Sequence, residues 1–457
     1  MKLLPVILIA TLIFCSVSGY AAEGSLPQTL FKNVNIFNGT EDRLYENHHV
    51  LIEGNLIKKI SAQPIDVAGA TVIDGAGRTL MPGLIDNHVH LMLNGAGLLD
   101  IEANQTWEDL AIGGVAMAKL YLDEGFTTVR DMGGANGGLT RAIKAGTIVG
   151  PRVYPSGAFI GGRGGHADFA LYTSRPGGDT NMSRLNMSHE ANGPVQVMQV
   201  ARNNFRQGAS QIKIMQTGGV ASLFDPWQLN GMTVEEIKAA VQIANDYQSY
   251  VGAHSYSKEA IMRALSLGVK TIEHGFMFDG EINEEMIKQG AYITTNLTAF
   301  SPLLADIGAL NDPRNQYKLK TATAAFKGYL DNVRKFNPKR GHQTDCVGPA
   351  SACQSQIAYE KYLNGDFFGN FRALVSMTSV GGEIAALSGP VMNPYPETRL
   401  GVVEKDATAD LLLVDGNPLE DLSVIGAVDK WFDAPPRDGV ETIRIIMKDG
   451  VIYKNTL

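Results

Sequence analysis

The central part of the chain alternates short apolar segments with longer helical patterns, and this alternation restricts the fold more than any other feature. Eight segments are strand candidates: Gly83–His90, Thr127–Met132, Arg152–Phe159, Gln211–Gln216, Tyr250–His254, Thr271–His274, Tyr292–Leu297 and a weak one ending near Asp345. Helical patterns lie between them at Trp107–Asp123, Val234–Asp246, Lys258–Leu267, Asn283–Gln289 and Arg314–Lys335. Repeated βα units build parallel sheets. The count predicts an α/β fold with a (β/α)8 TIM barrel, although a doubly wound sheet would give the same alternation.

Both ends of the chain carry short β-rich runs separated by tight turns. Phe31–Ile36 and His49–Glu53 lie near the start, and Ala409–Val414 and Ile443–Tyr453 lie near the end. Because the same pattern of strands and turns occurs at both ends, we expect the two termini to form one small β domain.

The first residues predict export. A basic start at Lys2 precedes the apolar run Leu3–Phe14, and small residues lead to a cleavage site at Gly19–Ala21, as in a signal peptide. A membrane anchor is the alternative, but twelve apolar residues would span only about 18 Å of a hydrocarbon core roughly 30 Å thick. No later stretch is apolar enough to cross a bilayer. We expect a periplasmic or secreted protein whose mature chain begins near Ala22.

Charge and cysteine content exclude some classes of protein. The 39 basic and 47 acidic residues give a net charge of −8, and the sequence has no run of Lys and Arg that could bind nucleic acid.

After cleavage Cys346 and Cys353 would remain, which is too few for a disulfide framework. A single bridge and two unpaired cysteines are both compatible with the sequence, since it does not show the distance between their Cα atoms.

Residues that commonly bind metals stand at the ends of several predicted strands. His88 and His90 close the first strand, and residues i and i+2 of a strand point to the same side. His254, His274 and Asp345 each end a later strand candidate. In a barrel these positions share the C-terminal rim, where four imidazoles and a carboxylate would suit Zn or a similar divalent ion.

Lys213 is unusual because it lies between isoleucines in a strand that reads as buried. A snorkelling or ion-paired lysine is one explanation. The other is a lysine with a lowered pKa, whose neutral amine adds carbon dioxide and becomes a carbamate able to bridge two cations.

The segment Met81–His90 resembles the first-strand motif of the amidohydrolase superfamily, and Lys213, His254, His274 and Asp345 occupy the remaining ligand positions in the right order. The resemblance covers essentially the whole mature chain. Within that superfamily, the chain resembles the imidazolonepropionase-like branch, which includes metal-dependent Xaa-Pro dipeptidases and carboxypeptidase-like enzymes.

The resemblance implies a division of the chain and a role for each ligand. After the signal peptide predicted above, residues 1–22, the resemblance implies that 23–80 and 391–457 are the two parts of a β-sandwich and that 81–390 are the metal-dependent hydrolase barrel. Two divalent ions, expected to be Zn, would be bound. His88 and His90 would bind the more buried ion, and His254 and His274 the second, with N6-carboxylated Lys213 as a bridge between the two ions. Asp345 would contact the first ion and act as base.

Two further residues resemble groups that contact the tetrahedral centre in that branch. His166 lies in the loop Gly164–Asp168, and Tyr256 follows His254. A glycine-rich loop followed by His is also a common sequence, and Tyr256 could simply pack under a loop. In the last strand Gln343 stands where the family often has Gly before Thr-Asp. The local backbone is therefore expected to differ from that of the family.

The long connections Ile160–Val195 and Thr298–Arg340 are expected either to cover the substrate or to be mobile insertions. Arg163 could clamp a substrate carboxylate, with a solvated loop position as the alternative. Other cationic candidates in these connections are Arg175, Arg184, Arg314 and Lys318.

Together these features predict an exported binuclear-metal amidohydrolase that cleaves an amide bond in a dipeptide or N-acyl amino acid through a metal-bound hydroxide. A cyclic amide, a lactone, an ochratoxin-like amide or a phosphotriester is the alternative substrate on the same centre. A non-catalytic binding or scaffolding relative is a further alternative, against which the complete ligand set argues. The expected partner is a small-molecule substrate, and a homo-oligomer is compatible with the sequence.

Overall fold

A computed structural model describes residues 26–175, 179–222, 224–306, 310, 312–397 and 399–457, so the predicted signal peptide lies outside the described residues. Eighteen strands are present in this part of the chain. They are β1 Gln28–Ile36, β2 Tyr45–Glu53, β3 Leu56–Ser61, β4 Thr71–Asp74, β5 Thr79–Pro82, β6 Leu84–Val89, β7 Phe126–Asp131, β8 Arg152–Pro155, β9 Phe159–Gly161, β10 Ser188–Glu190, β11 Ile212–Met215, β12 Val251–Ser255, β13 Thr271–His274, β14 Tyr292–Thr295, β15 Arg340–His342, β16 Leu411–Val414, β17 Ile443–Lys448 and β18 Val451–Asn455.

The helices lie mostly between the central strands and after them. They are α1 Leu98–Asn104, α2 Trp107–Asp123, α3 Gly137–Lys144, α4 Asn181–Arg184, α5 Pro194–Arg206, α6 Val234–Asp246, α7 Lys258–Ser266, α8 Gly280–Gln289, α9 Pro313–Ala325, α10 Tyr329–Phe336, α11 Ala350–Phe368, α12 Asn370–Ser376, α13 Ser379–Ala386 and α14 Gly389–Met392.

Helices α2 and α6 have the predicted bounds because each begins at a threonine that forms a capping box. Thr106 accepts a hydrogen bond from the backbone of Asp109, whose side chain accepts one in return, and Thr233 and Glu236 do the same at α6. The reciprocal bonds satisfy backbone donors that the first turn leaves unpaired.

One eight-stranded sheet combines the two ends of the chain, in the order β18-β17-β16-β5-β1-β2-β3 with β4 beside β1. The junction is the antiparallel pair β5 and β16, in which Met81 faces Leu412. An apolar cluster of its own fills this part of the molecule, including Phe31, Val50 and Leu411.

The central strands form two parallel sheets, β6-β7-β8 and β10-β9-β11-β12-β13-β14-β15. Two backbone hydrogen bonds connect the sheets at their edges. Ser210 N–H donates to Pro155 O over 2.7 Å, and Asp345 N–H donates to His88 O over 2.9 Å. The carboxyl ends of β6 and β15 are therefore held side by side.

Several elements differ from the sequence prediction. The third strand candidate divides into β8 and β9 because the chain turns at Gly157, which has a φ of 71° that glycine adopts without strain. The helix expected at Arg314–Lys335 is interrupted after Ala325 and resumes at Tyr329. The connection expected at Ile160–Val195 contains α4 and β10, and β10 extends the sheet beside β9.

Cys346 and Cys353 form a disulfide, with Cα atoms 5.7 Å apart, which decides between the two alternatives left by the sequence. Both cysteines are buried, and Cys346 directly follows Asp345.

Within the described ranges, no helix combines the length and the apolar character needed to span a membrane.

Candidate metal centre

Three of the predicted ligands gather where β6, β13 and β15 end. Ligand atoms of His88, His274 and Asp345 all lie within 4.8 Å of one another. His90 joins them, since its Nε2 is 3.1 Å from Asp345 Oδ1, and His88 Nε2 is 3.5 Å from the same oxygen. These residues fit a divalent ion, because the set combines imidazole nitrogens with one carboxylate.

The backbone at the centre has an unusual conformation at two of these residues. His274 has a φ of 70° and Asp345 a φ of 54°, both in the left-handed region that residues with side chains rarely adopt. Such conformations cost energy and are enriched at functional sites, where the surrounding structure holds them, although this chain also has them elsewhere, as at Asn33 and Asp449.

Lys213 and His254 complete the cluster from β11 and β12. Lys213 is fully buried, and its Nζ lies 3.4 Å from His88 Nε2. The ring of His254 is 4.5 Å from that of His274, measured between centroids. All six residues predicted as metal ligands therefore lie in one group, although their roles stay a prediction.

Hydrogen bonds orient the imidazoles for metal binding. His90 Nδ1 is 3.0 Å from Gly133 O, and His254 Nε2 is 3.1 Å from Gly218 O. Because a carbonyl oxygen only accepts, each of these nitrogens carries the proton and leaves the other nitrogen of its ring with a lone pair. His88 Nδ1 donates to Glu273 over 2.9 Å, so the lone pair of this ring is on Nε2, which faces Asp345.

Burial and neighbouring charges shift the pKa values of most of these groups in the directions that ligation requires. Burial lowers the pKa of His88 and His254 well below the usual histidine value, and lowers that of His274 to about 4. Burial alone would raise the pKa of Asp345, but the surrounding histidines hold it well below its usual range. His88, His254 and His274 are thus offered as neutral imidazoles and Asp345 as an ionised carboxylate, as metal ligands must be. At His90 burial lowers the pKa, but the hydrogen bond and charge of Asp345 outweigh it and raise the pKa.

The pKa of Lys213 is lowered to about 8, chiefly by burial. A substantial share of neutral amine is then present near neutral pH, which is the form that reacts with carbon dioxide.

His166 and Tyr256 both pack against His254, with ring centroids 4.2 and 4.7 Å away. His166 Nδ1 donates to Asp225 Oδ2 over 2.9 Å. The pKa of the Tyr256 hydroxyl is raised, chiefly by burial, so its proton stays available for donation. The structure brings both residues to the centre.

Four of the five cationic candidates for a substrate carboxylate already have partners. Arg163 Nη1 is 3.3 Å from Glu190, and Arg314 pairs with Asp312 at 2.9 Å. Lys318 Nζ donates to the carbonyl of Asp225 over 3.1 Å, so it supports the loop that carries the partner of His166. Arg184 donates to Asn181, and a carboxylate role for Arg163 stays a prediction.

Sequence reasoning missed Glu273, Arg130 and Asp225. Glu273 and Arg130 are charged residues inside buried strands, which is the signal that singled out Lys213 and could have found them. Nothing in the sequence around Asp225 marks it. Gln343, noted as a departure from the family pattern, is buried with its Nε2 3.1 Å from His274 Nδ1.

Comparisons with known proteins agree with this geometry. A sequence model described as the amidohydrolase family matches residues 79–385. The chain is 30% identical over 363 residues to ochratoxinase of Aspergillus niger, covering 76% of this chain and 72% of the relative. A prolidase crystallised with N-methylphosphonate-L-proline has a TM-score of 0.82 at 31% identity, covering 94% of this chain and 100% of that one. A Xaa-Pro dipeptidase with bound methionine has a TM-score of 0.77 at 27% identity, with the same coverage.

Proposed function

This chain belongs to the amidohydrolase family and is a hydrolase of carbon–nitrogen amide bonds, and we propose that its substrate is a dipeptide or an N-acyl amino acid. The observation that carries the proposal is the cluster of His88, His90, His274 and Asp345, joined by Lys213 and His254. Structural similarity to a prolidase and a Xaa-Pro dipeptidase supports the substrate class.

We propose that the cluster holds two divalent ions, expected to be Zn, with His88 and His90 on one and His254 and His274 on the other. Carboxylated Lys213 would bridge them. When bound, such ions activate a water molecule and polarise the scissile carbonyl. The donor set supports this, because it offers four imidazoles, one carboxylate and a buried amine.

The protein's own groups then handle protons and charge. Asp345 takes a proton from the attacking water and delivers it to the leaving nitrogen. Tyr256 donates to the carbonyl oxygen on which negative charge develops, and His166 would do the same through Nε2 when that nitrogen also carries a proton. The hydrogen bond that His166 Nδ1 donates to Asp225 supports an oriented His166.

We expect a substrate with a free C-terminal carboxylate to be cleaved about 100-fold better, in kcat/KM, than its C-terminal amide, which corresponds to about 2.7 kcal/mol. The reason is that a cationic side chain, Arg163 in our proposal, would exchange Glu190 for the substrate carboxylate, a contact that the C-terminal amide cannot make. Amine release from paired L-Xaa-L-Xaa acids and amides measures the ratio. Equal rates would refute the requirement for a carboxylate and leave the amide hydrolase standing.

An amide resembling ochratoxin is the second candidate substrate, favoured by the 30% identity to ochratoxinase over most of the chain. The same assay separates the candidates, since turnover of ochratoxin without turnover of dipeptides or simple N-acyl amino acids would favour the second. Activity confined to lactones, cyclic amides or phosphotriesters would contradict both.

We propose that the two parallel sheets close into one (β/α)8 barrel and that the sheet built from both termini is part of a separate β-sandwich. The two hydrogen bonds between the parallel sheets support the barrel. An experimental structure with an open central sheet would contradict it.

We also propose export, with a mature chain that begins near Ala22. The disulfide between Cys346 and Cys353 supports an oxidising compartment. Sequencing the amino terminus of the protein from its native host is the measurement, and a chain that starts at Met1 would refute cleavage.

A further inference from the structure

A buried charged network lies beneath the predicted ligands, centred on Glu273 of β13. Glu273 is fully buried and accepts a hydrogen bond from His88 Nδ1 over 2.9 Å. The Thr294 hydroxyl donates to the same oxygen, Oε2, over 2.6 Å. The carboxylate therefore contacts a predicted ligand directly, from the side of the ring that faces away from Asp345.

Arg130 of β7 holds this carboxylate in place. Its Nη2 lies 3.0 and 2.8 Å from the two oxygens of Glu273, and its Nη1 donates to Thr271 over 2.9 Å and to Tyr250 over 3.1 Å. Its Nε donates to the carbonyl of Asn87, the residue before His88. Arg130 thus fixes both the backbone beside His88 and the carboxylate that binds the ring.

An imidazole can ligate through Nε2 only when its proton is on Nδ1. Ion pairs that serve only the fold also occur in this molecule, as at Glu124, which is fully buried against Arg437 and Lys361. What distinguishes Glu273 is that one of its oxygens accepts the Nδ1 proton of a predicted ligand.

We propose that Glu273, oriented by Arg130, is a positioning residue that keeps the proton of His88 on Nδ1 and thereby raises the affinity of the centre for metal. The inference rests on the proposed metal centre. Removing a carboxylate that contacts a metal-bound histidine in this way typically weakens metal binding by about 10- to 100-fold.

The test measures Zn²⁺ affinity, by competition with a chromophoric chelator, on full-length mature protein stripped of metal. We expect Glu273→Gln to bind Zn²⁺ about 10- to 100-fold more weakly than the wild type. The matched control is Glu124→Gln, which removes a carboxylate of similar burial and pairing, and should leave Zn²⁺ affinity unchanged. The absorption spectrum of Co²⁺-loaded protein gives a second readout, because a change in ligation at His88 alters it while a loss of fold stability does not.

Glu273→Asp keeps the charge next to Arg130 but withdraws the carboxylate by one methylene, and it covers the case in which Glu273→Gln does not fold. Weaker Zn²⁺ binding in either variant, with the control unchanged, supports the inference. Unchanged affinity and spectrum in the folded variants, or an equal loss in Glu124→Gln, would overturn it. A wild-type chain that binds no Zn²⁺ would instead refute the metal centre itself.

Discussion

Asp345→Asn is expected to lower kcat/KM by about 10³-fold, equivalent to about 4 kcal/mol, while the protein stays folded. The asparagine fills the same space but cannot accept a proton from the attacking water. Asp345 lies within 3.1 Å of His90 Nε2 and 3.5 Å of His88 Nε2, and its lowered pKa keeps it ionised and able to act as a base. Amine release measured on the purified variant and wild type tests the loss.

Two controls separate this loss from damage to the fold or the centre. Asp410→Asn removes another buried aspartate, which directly precedes β16 and is bound over 3.0 Å by Arg152 of β8, and it should keep the wild-type rate per folded molecule. The metal content of Asp345→Asn, expected near two ions per chain in the wild type, shows whether the centre is still loaded. Turnover like the wild type in loaded Asp345→Asn would remove Asp345 from the role of base.

Lys213→Ala is expected to abolish binding of the second ion and to reduce activity by about 10³-fold or more, because the bridging carbamate is lost. Formate, acetate or propionate should restore part of the activity by occupying the bridging position. Lys213→Arg should not be restored, since a guanidinium stays charged and fills the space. Metal analysis and amine release, with and without the added acids, are the measurements.

A second buried lysine provides the matched control for this experiment. Lys361 has a pKa of about 8, like Lys213, but its Nζ donates to the carbonyls of Glu124 and Ile425 over 2.7 and 2.9 Å. The Lys361→Ala protein should have a lower free energy of unfolding than the wild type but should still bind both ions. Its activity should not respond to short carboxylic acids. A fully loaded and active Lys213→Ala protein would rule out the bridge.

The two lysines also show how far sequence carries the assignment of the site. Periodicity singled out Lys213, because a charged residue between isoleucines in a strand is conspicuous. Lys361 lies within α11, where no sequence pattern predicted a helix, and burial is the main cause of its similar pKa. Only the tertiary neighbours distinguish a lysine beside His88 from one bound by two carbonyls.

The local sequence determined the strands and helices of the central region and the order of ligand-type residues at strand ends. Periods of two and 3.6 residues are local properties, so α2 and α6 could be placed at their observed bounds. Parallel strands ending at one edge were enough to predict that His88, His254, His274 and Asp345 converge.

Tertiary structure decided the contacts between residues that are distant in the chain. It brought Glu273 to His88 across 185 positions and Asp225 to His166 across 59, and it paired Arg163 with Glu190. It also brought the Cα atoms of Cys346 and Cys353 to 5.7 Å, a distance that the spacing of the two cysteines does not specify. Such pairs depend on how whole elements pack, because the energy of a buried hydrogen bond or ion pair is set by its surroundings and not by its place in the sequence.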